Sequence, residues 1–360
     1  MSKHQLFTFA SILFVVGGVV IAVTGSGTRQ NIEPSVLPNI ELVKPPEETH
    51  STAEWLRLAR LDYDAWKLDE ALKKVLAVQP EENEQNQSQY RDYYEDMDDI
   101  EVLETLEKNE FYQKDLFLVK LANRFLANKQ SELAVVAARH ISPCTMRRDL
   151  TLVTIVKAQI KAAETAMKPD GDGNVDEMLD QAALTASYLG YGQKNVAYEL
   201  VSTYMAFSGR FFDAVDQAAN IPDSQIRNAQ LTDLTRRYVE VRRWYNRPAT
   251  AKYKVVRIDA REPVYLAIIA RMDDPKHKIL AFLNLAAFFG SRDAQNNIIS
   301  PKKCEEYLAA VLDTFDTIEK PDKAELNMLA RAAAFYETLE MNEKAKSGFR
   351  LNVIRKKVQQ

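Results

Sequence analysis

The sequence predicts an all-α protein in which a single N-terminal transmembrane helix precedes an α-solenoid of helix hairpins. Three observations support this prediction. The chain has only eleven Gly and thirteen Pro in 360 residues, which is too few for a turn-dense β-sandwich. From about residue 51 onward Ala, Leu, Glu, Lys and Arg dominate, and Pro or Gly interrupts them at intervals typical of helix hairpins. Near the start, a long apolar stretch stands apart from this pattern.

The apolar stretch lies between Lys3 and Arg29, an interval that contains no Asp, Glu, Lys or Arg. After a short tail of residues 1–5, we predict a transmembrane helix over residues 6–24. A helix formed by its apolar part, Leu6–Val23, would extend roughly 27 Å, close to the thickness of bilayer hydrocarbon. The alternative is a cleaved signal peptide, which would leave a secreted protein, but the apolar region of such peptides is usually shorter.

Charge bias and composition predict how the chain continues from this helix. Lys3 and the α-amine precede the helix, and only Arg29 follows closely. This bias favours a single-pass protein with a cytosolic N-terminus and the remainder on the non-cytosolic side. Residues 25–50 contain four prolines and few apolar residues, so they are predicted to form a linker that holds a folded domain away from the membrane.

Residues 51–360 are predicted to form one helical-repeat domain, because three segments align without gaps: 121–141, 201–221 and 332–352. The aligned columns contain large residues, then small ones, then bulky ones, then small ones again. The five columns are Leu121, Val201 and Ala332; Ala122, Ser202 and Ala333; Phe125, Met205 and Tyr336; Ala134, Ala214 and Ala345; and Ala138, Ala218 and Phe349. Small residues let two helices approach closely, and bulky ones fill the space between hairpins.

These columns resemble the signature of tetratricopeptide repeats. The clearer copies lie near residues 116–143, 196–222 and 327–354, and residues 55–80 resemble a degenerate copy. The chain departs from the family where Ala138 and Ala218 replace an aromatic residue, and the first two clear copies are 80 residues apart, which is not a multiple of the family's repeat length. An additional helix pair, Cys144–Lys168 and Val175–Leu189, is predicted to fill that interval. Chance similarity within an ordinary helical array is the alternative.

The resemblance implies a binding groove, since the first helix of each repeat in that family lines a concave surface. Transferred by column, the groove residues would be Asn123, Leu126, Glu199, Thr203, Phe207 and Glu337. Their role would be to capture a peptide or a helix, with polar groups that hold backbone and apolar groups that fill pockets.

Two regions of opposite charge suggest a partner. Residues 81–110 contain twelve Asp and Glu against Arg91 and Lys108, and residues 236–261 contain nine Lys and Arg against two carboxylates. The basic strip includes Arg242, Arg243, Trp244 and Arg247 as candidate binding residues for an acidic peptide or for the acidic segment of the same chain. A solvated helix face with buried aromatic residues is the plain alternative. The net charge of −4 argues against nucleic acid as the partner.

No catalytic, metal or cofactor site is predicted. None of the four histidines is part of a zinc-binding sequence motif, and no phosphate-binding or nucleophile motif occurs. The segment Asp170–Asp176 resembles the start of a calcium loop, but Val175 stands where Gly is needed, so a turn in which Asn174 caps the next helix is favoured. Cys144 and Cys304 could form a disulfide, although isolated thiols are more often inert core residues.

The sequence therefore predicts a membrane-anchored scaffold that binds other proteins and is not an enzyme. A structural subunit of a cell-envelope or secretion complex is one alternative, and it would expose a large apolar patch in place of a polar groove. A secreted helical-repeat protein, formed by signal-peptide cleavage, is another.

Overall fold

The computed structural model of the chain describes thirteen helices and two short strands. Strands β1 (Phe14–Val16) and β2 (Val19–Ile21) pair antiparallel. Every other regular element in the described part of the chain is a helix, which confirms the all-α prediction for the described residues from 50 onward. The described residues are 14–16, 19–21, 50–78, 109–143, 146–246, 252–253, 255, 263–291 and 299–340.

The first twelve described helices form six successive pairs, and in each pair the helix that comes first is at least as long as the one that follows it. We call these the first and second helices. The thirteenth helix comes after these pairs and is counted as a first helix. In chain order the helices are α1 (Thr52–Asp64), α2 (Leu68–Ala77), α3 (Glu110–Ala127), α4 (Ser131–Arg139), α5 (Met146–Ala166), α6 (Val175–Ser187), α7 (Tyr191–Ser208), α8 (Phe211–Ala219), α9 (Ser224–Asn246), α10 (Pro263–Ala270), α11 (Pro275–Phe289), α12 (Pro301–Phe315) and α13 (Lys323–Glu340).

The chain divides into two compact units, an N-terminal unit of Ile32–Tyr204 and a C-terminal unit of Met205–Gln360 together with Met1–Asn31. Within the N-terminal unit, α1 packs on α2, α3 on α4 and α5 on α6. Within the C-terminal unit, α9 packs on α10 and α11 on α12. Neighbouring pairs also touch through their first helices, since α1 contacts α3, α3 contacts α5 and α9 contacts α11.

Three of the helix pairs are joined by the same turn. Each first helix ends at a residue in the left-handed region, namely Trp66 (φ 61°), Lys129 (φ 62°) or Gly209 (φ 92°). The next N–H in each turn donates to a carbonyl five residues earlier, as Gln130 does to Phe125 at 2.9 Å, which is a Schellman C-cap. The second helix then begins at once, after a residue whose ψ is 63° to 65°. The turn therefore has a constant length and sets a constant register between the two helices.

The same three pairs bury the same columns of the sequence. Each set of aligned positions is almost fully buried: Ala59, Ala122 and Ser202; Ala71, Ala134 and Ala214; Val75, Ala138 and Ala218; and Val78, Ile141 and Ile221. Small side chains fill most of these columns, as close packing of a helix against its neighbours favours. The degenerate copy at residues 55–80 thus has the burial pattern of the clearer copies.

Second helices also end alike. The last turn closes with an N–H that donates to a carbonyl three residues earlier, from an apolar residue just beyond the helix. Ile141, Leu189, Ile221 and Met272 occupy this position and are buried. The same ending occurs in α6 and α10, whose sequences do not align with the three copies. This geometry is therefore repeated in more of the described chain than the sequence similarity covers.

Most of the predicted transmembrane helix at residues 6–24 lies outside the described residues, and β1 and β2 are the parts of it that the structure describes. Among the described helices, none combines the length and the apolar character that a bilayer span requires. The tail (residues 1–5) and all but the last residue of the predicted linker (residues 25–50) also lie outside the described part.

The additional pair predicted over Cys144–Lys168 and Val175–Leu189 is present as α5 and α6. Apolar residues that recur every three or four positions along α5 are buried from Val153 onward, but Met146 and Leu150, at the same spacing, are exposed. In the third copy Ala332 is buried, and residues 341–354 lie outside the described part.

Candidate interaction surface

The predicted groove residues all lie on first helices. Asn123 and Glu199 are exposed on α3 and α7 of the N-terminal unit, where Leu126 and Thr203 are half-buried. In the C-terminal unit, Phe207 is half-buried in the last turn of α7 and Glu337 is exposed on α13. All six side chains therefore retain some contact with solvent, as residues that bind a partner must.

Phe207 and Trp244 lie together, although they were predicted as parts of two different sites. Their rings stack with centroids 5.8 Å apart, and Tyr253 packs against both at 5.2 and 5.9 Å. The guanidinium of Arg237 lies 4.5 Å from the centre of the Phe207 ring and also pairs with Asp233. Tyr253 is buried, so this cluster anchors the chain that follows α9 as well as offering two half-buried rings.

The basic strip is divided between packing and exposure. Arg242 donates to the hydroxyl of the buried Tyr238 at 2.9 Å, whereas Arg243 is exposed. The alternative of a solvated helix face with buried aromatic residues is thus correct in part, since Tyr238 and Tyr253 face the core. Arg247 lies outside the described residues. Sequence reasoning did not single out Arg237, because nothing local to α9 indicates that it stacks on a ring of α7.

A second cluster of rings and cations, missed from the sequence, lies at the turn between α1 and α2. The guanidinium of Arg124 on α3 is held between the rings of Trp66 at 3.6 Å and Tyr63 at 4.7 Å. Trp66 is 64% exposed and borders an open cavity of about 710 Å³, whose other lining residues include Asn128 and Gln130. The sequence gives only a weak indication of this cluster, because an aromatic residue such as Trp66 at the end of a helix more often enters the core.

Exposed charges in the N-terminal unit are divided between first and second helices. On α1, α3 and α5 the exposed cations are Arg57, Arg60, Lys120, Lys157 and Lys161. The exposed carboxylates of these three helices, Glu54, Asp64 and Glu110, are confined to first or last turns. The second helices α2, α4 and α6 instead expose mainly carboxylates: Asp69, Glu70, Glu132 and Glu177. The exposed side of α1, α3 and α5 is therefore basic along its middle, and that of α2, α4 and α6 is mainly acidic, although Arg139 is exposed on α4. The next first helix, α7, differs in exposing Glu199 at its middle.

One group in the C-terminal unit resembles a catalytic arrangement. Thr232 Oγ1 lies 3.0 Å from Nδ1 of His277, whose Nε2 lies 3.7 Å from Asp274. The hydroxyl, however, donates to the carbonyl of Asn228 at 2.9 Å, so it accepts from the imidazole and its proton is already engaged. Asp274 also caps α11 through the N–H of Lys276. These contacts connect α9 to α11 and do not form a catalytic site.

Two buried groups have shifted pKa values that follow from packing. Burial, reinforced by the neighbouring Glu305, raises the pKa of the Cys304 thiol to about 12, which makes it a poor nucleophile. Cys304 is a free thiol, and Cys144 lies outside the described residues. Burial lowers the pKa of Lys114, against the opposing charge of Asp115, while its ammonium donates to the carbonyl of Val78 at 2.7 Å. That contact ties α3 to the end of α2.

The segment Asp170–Asp176 forms the turn that the sequence favours. Gly173 has a φ of 128°, and Asn174 accepts the N–H of Glu177 as the cap of α6. Within the described ranges, no three His, Cys, Asp or Glu side chains are grouped in a way that could hold a metal ion.

In comparisons with known proteins, the sequence matches no family model and no curated protein. The resemblance to tetratricopeptide repeats therefore stays an interpretation of the aligned columns. The repeated turn and the repeated burial pattern are structural facts that do not depend on it.

Proposed function

We propose that this protein is a scaffold that binds other proteins along the exposed faces of its first helices and carries out no catalysis. The observation that supports this proposal is the repetition of one hairpin geometry in α1–α2, α3–α4 and α7–α8. Because the turn after each first helix is the same, the first helices have equivalent positions in one aligned column, where Arg60 and Asn123 are exposed and Thr203 is half-buried. Rows of equivalent exposed positions are how helical-repeat proteins form extended binding surfaces.

Site-specific photo-cross-linking tests this proposal. A photoreactive residue replaces Asn123 or Glu199 on first helices and, as a matched control, Glu177 or Ser187, which are exposed on the second helix α6. We expect Asn123 and Glu199 to cross-link to a shared set of proteins, which mass spectrometry identifies, and the control positions to cross-link to few of them. Cross-links of equal yield from all four positions, or from none, would contradict a first-helix binding surface.

We also propose that the scaffold is anchored in a membrane by residues 6–24, with the helical units on the non-cytosolic side. The support is the absence of Asp, Glu, Lys and Arg between Lys3 and Arg29, together with the slight charge bias across this interval. Carbonate extraction of membranes, followed by mass spectrometry of the N-terminus, distinguishes an intact anchor from a cleaved signal peptide. Protease protection in sealed and opened membranes then tests the orientation.

A further inference from the structure

We propose that the first-helix side of the N-terminal unit is a docking surface for an acidic peptide that also carries leucine-like side chains. This inference rests on the proposed function and specifies the partner of that surface. We define the surface by the exposed cations and leucines of α1, α3 and α5: Arg57, Arg60, Leu61, Leu116, Lys120, Leu150, Lys157 and Lys161.

The cations of this surface have no ion-pair partner among the residues that the structure describes, whereas some cations elsewhere in the same unit have one. Lys73 and Lys74 on the second helix α2, for example, pair with Glu70 and Asp62. An unpaired exposed cation loses little on contact with a carboxylate, because it gives up only water and gains a charged partner. The surface is therefore electrostatically complementary to a chain of negative charges.

Each of the three helices also places a leucine on the same face as a cation. Arg57 and Leu61 are four residues apart, Leu116 and Lys120 are four apart, and Leu150 and Lys157 are seven apart. Residues at these spacings lie on one side of a helix. The leucines are 54%, 36% and 49% exposed, so each still has apolar area to lose to a partner.

The three helices are adjacent, so their separate stripes form one surface. Tyr63 of α1 packs edge-on against Phe117 of α3 at 5.5 Å. Arg147 of α5 lies 4.2 Å from the ring of Tyr112 on α3. Neighbouring helices lie roughly 8–10 Å apart, so the apolar and charged positions recur across the surface at that interval.

This alternation favours a peptide over nucleic acid or lipid headgroups. A nucleic acid would use the cations but leave three leucines without a partner, and single strands are bound mainly by stacking on aromatic rings. An anionic lipid headgroup likewise satisfies only the charges. A peptide in which Glu or Asp alternates with Leu at helical spacing satisfies both sets at once.

Fluorescence anisotropy with defined probes tests the proposal. The probe is a fluorescein-labelled peptide of Glu and Leu, in which Leu recurs every three or four residues, and its partner probe has Gln in place of Glu. The full chain should bind the Glu peptide and not the Gln peptide, and added salt should weaken the binding. The triple variant R57Q/K120Q/K157Q should bind roughly tenfold more weakly, as expected for the loss of three exposed pairs of typical strength.

The matched control is K302Q/K320Q/K323Q, which removes the same charge at exposed lysines of the C-terminal unit. Circular dichroism checks that both triple variants keep their helices. Equal weakening by the two triple variants, or equal binding of the two peptides, would overturn the proposal. Binding of anionic vesicles or of an oligonucleotide with the same dependence on Arg57, Lys120 and Lys157 would assign the surface to another class of partner and also overturn it.

Two further results separate this inference from the proposed function. If the peptide fails to bind while the cross-links from Asn123 and Glu199 persist, the acidic class is wrong and the scaffold proposal stands. If the peptide binds only after the carboxylates of residues 81–107 are replaced by amides, the surface belongs to the chain's own acidic segment, which also overturns the proposal.

Discussion

The carboxylate of Asp149 on α5 accepts the backbone N–H of Gly190 with both of its oxygens, at 2.9 and 3.0 Å. Gly190 immediately precedes α7, so the bond joins the first turn of one first helix to the start of the next. A Cβ on Gly190 would lie 2.4 Å from Oδ2 of Asp149, and this contact is possible only because position 190 has no side chain.

Replacing either residue should therefore remove the same contact. We expect Asp149→Ala to lower the free energy of unfolding by roughly 1 kcal/mol, the usual cost of losing a cap at a helix N-terminus. Gly190→Ala should cost a similar amount, because the new methyl group displaces the carboxylate. In the double variant the two costs should not add, and urea titrations of all four proteins measure this coupling. Fully additive effects would show that the two residues act independently.

Substitutions at two of the left-handed turn residues should change the free energy of unfolding in opposite directions. Gly209→Ala places a Cβ at a φ of 92° and should destabilise the protein by roughly 1 kcal/mol. Lys129→Gly removes a Cβ from a φ of 62° and should stabilise it by roughly 0.5 kcal/mol, after the added flexibility of the unfolded chain is included. The shift in the urea midpoint measures both. Lys168→Gly, in the turn that follows α5, is a control. The stabilisation expected for Lys129→Gly should be absent in this variant.

Cys304 should be inert in the folded protein. In a Cys144→Ser variant it is the remaining thiol of the chain. With a pKa of about 12 in a buried site, only about one molecule in ten thousand carries the thiolate at pH 8. We expect a disulfide reagent such as Ellman's to react slowly in native buffer and at once in guanidinium chloride. Rapid reaction without denaturant would contradict the burial of this side chain.

Asp322 and Glu325 form a reciprocal cap at the start of α13. Oδ1 of Asp322 accepts the N–H of Glu325 at 2.8 Å, and the Glu325 carboxylate accepts the N–H of Asp322 at 2.7 Å. The bond from the Glu325 N–H is the main reason that the pKa of Asp322 lies below 3.8, with a smaller contribution from the charge of Lys276. Because this pKa is lowered in the folded state, the cap stabilises the protein fully above the unfolded value and loses its effect as the pH falls through the folded value.

A carbon-13 titration of the Asp322 carboxyl, assigned with Asp322→Asn, measures this pKa. We expect a midpoint below 3.8 in the full chain and, because the larger cause is a backbone N–H, a midpoint still below 3.8 in Lys276→Gln. A midpoint in Lys276→Gln that returns to 3.8 would assign the shift to the ion pair in place of the cap.

Features that depend on local periodicity were predictable from the sequence. The small residues at Ala122 and Ala134 are buried as expected, and α5 and α6 lie where the helical pattern places them. Both follow from the period of an α-helix, which one sequence displays directly. The cap at Asn174 was predictable for the same reason, since Asn before a helical run accepts a nearby N–H.

Contacts between distant residues were not predictable. Phe207 and Trp244 are in different helices, and a single sequence does not show which faces of those helices meet. Met146 and Leu150 are exposed although they continue the apolar periodicity of α5, so the periodicity alone did not show where the burial of these positions begins. The charge division between first and second helices becomes visible only after each residue has been assigned to one side of its pair.

The turn shared by the three helix pairs bears on how far the sequences of such hairpins can diverge. Their left-handed position holds Trp66, Lys129 or Gly209, so the backbone conformation survives a change from the largest side chain to none. The buried residues on either side must therefore help to specify the turn, and the residue at its apex can change at a cost of only roughly 1 kcal/mol. Duplicated hairpins can in this way lose nearly all resemblance to one another, including the glycine that would mark their junction, while their helices stay in register.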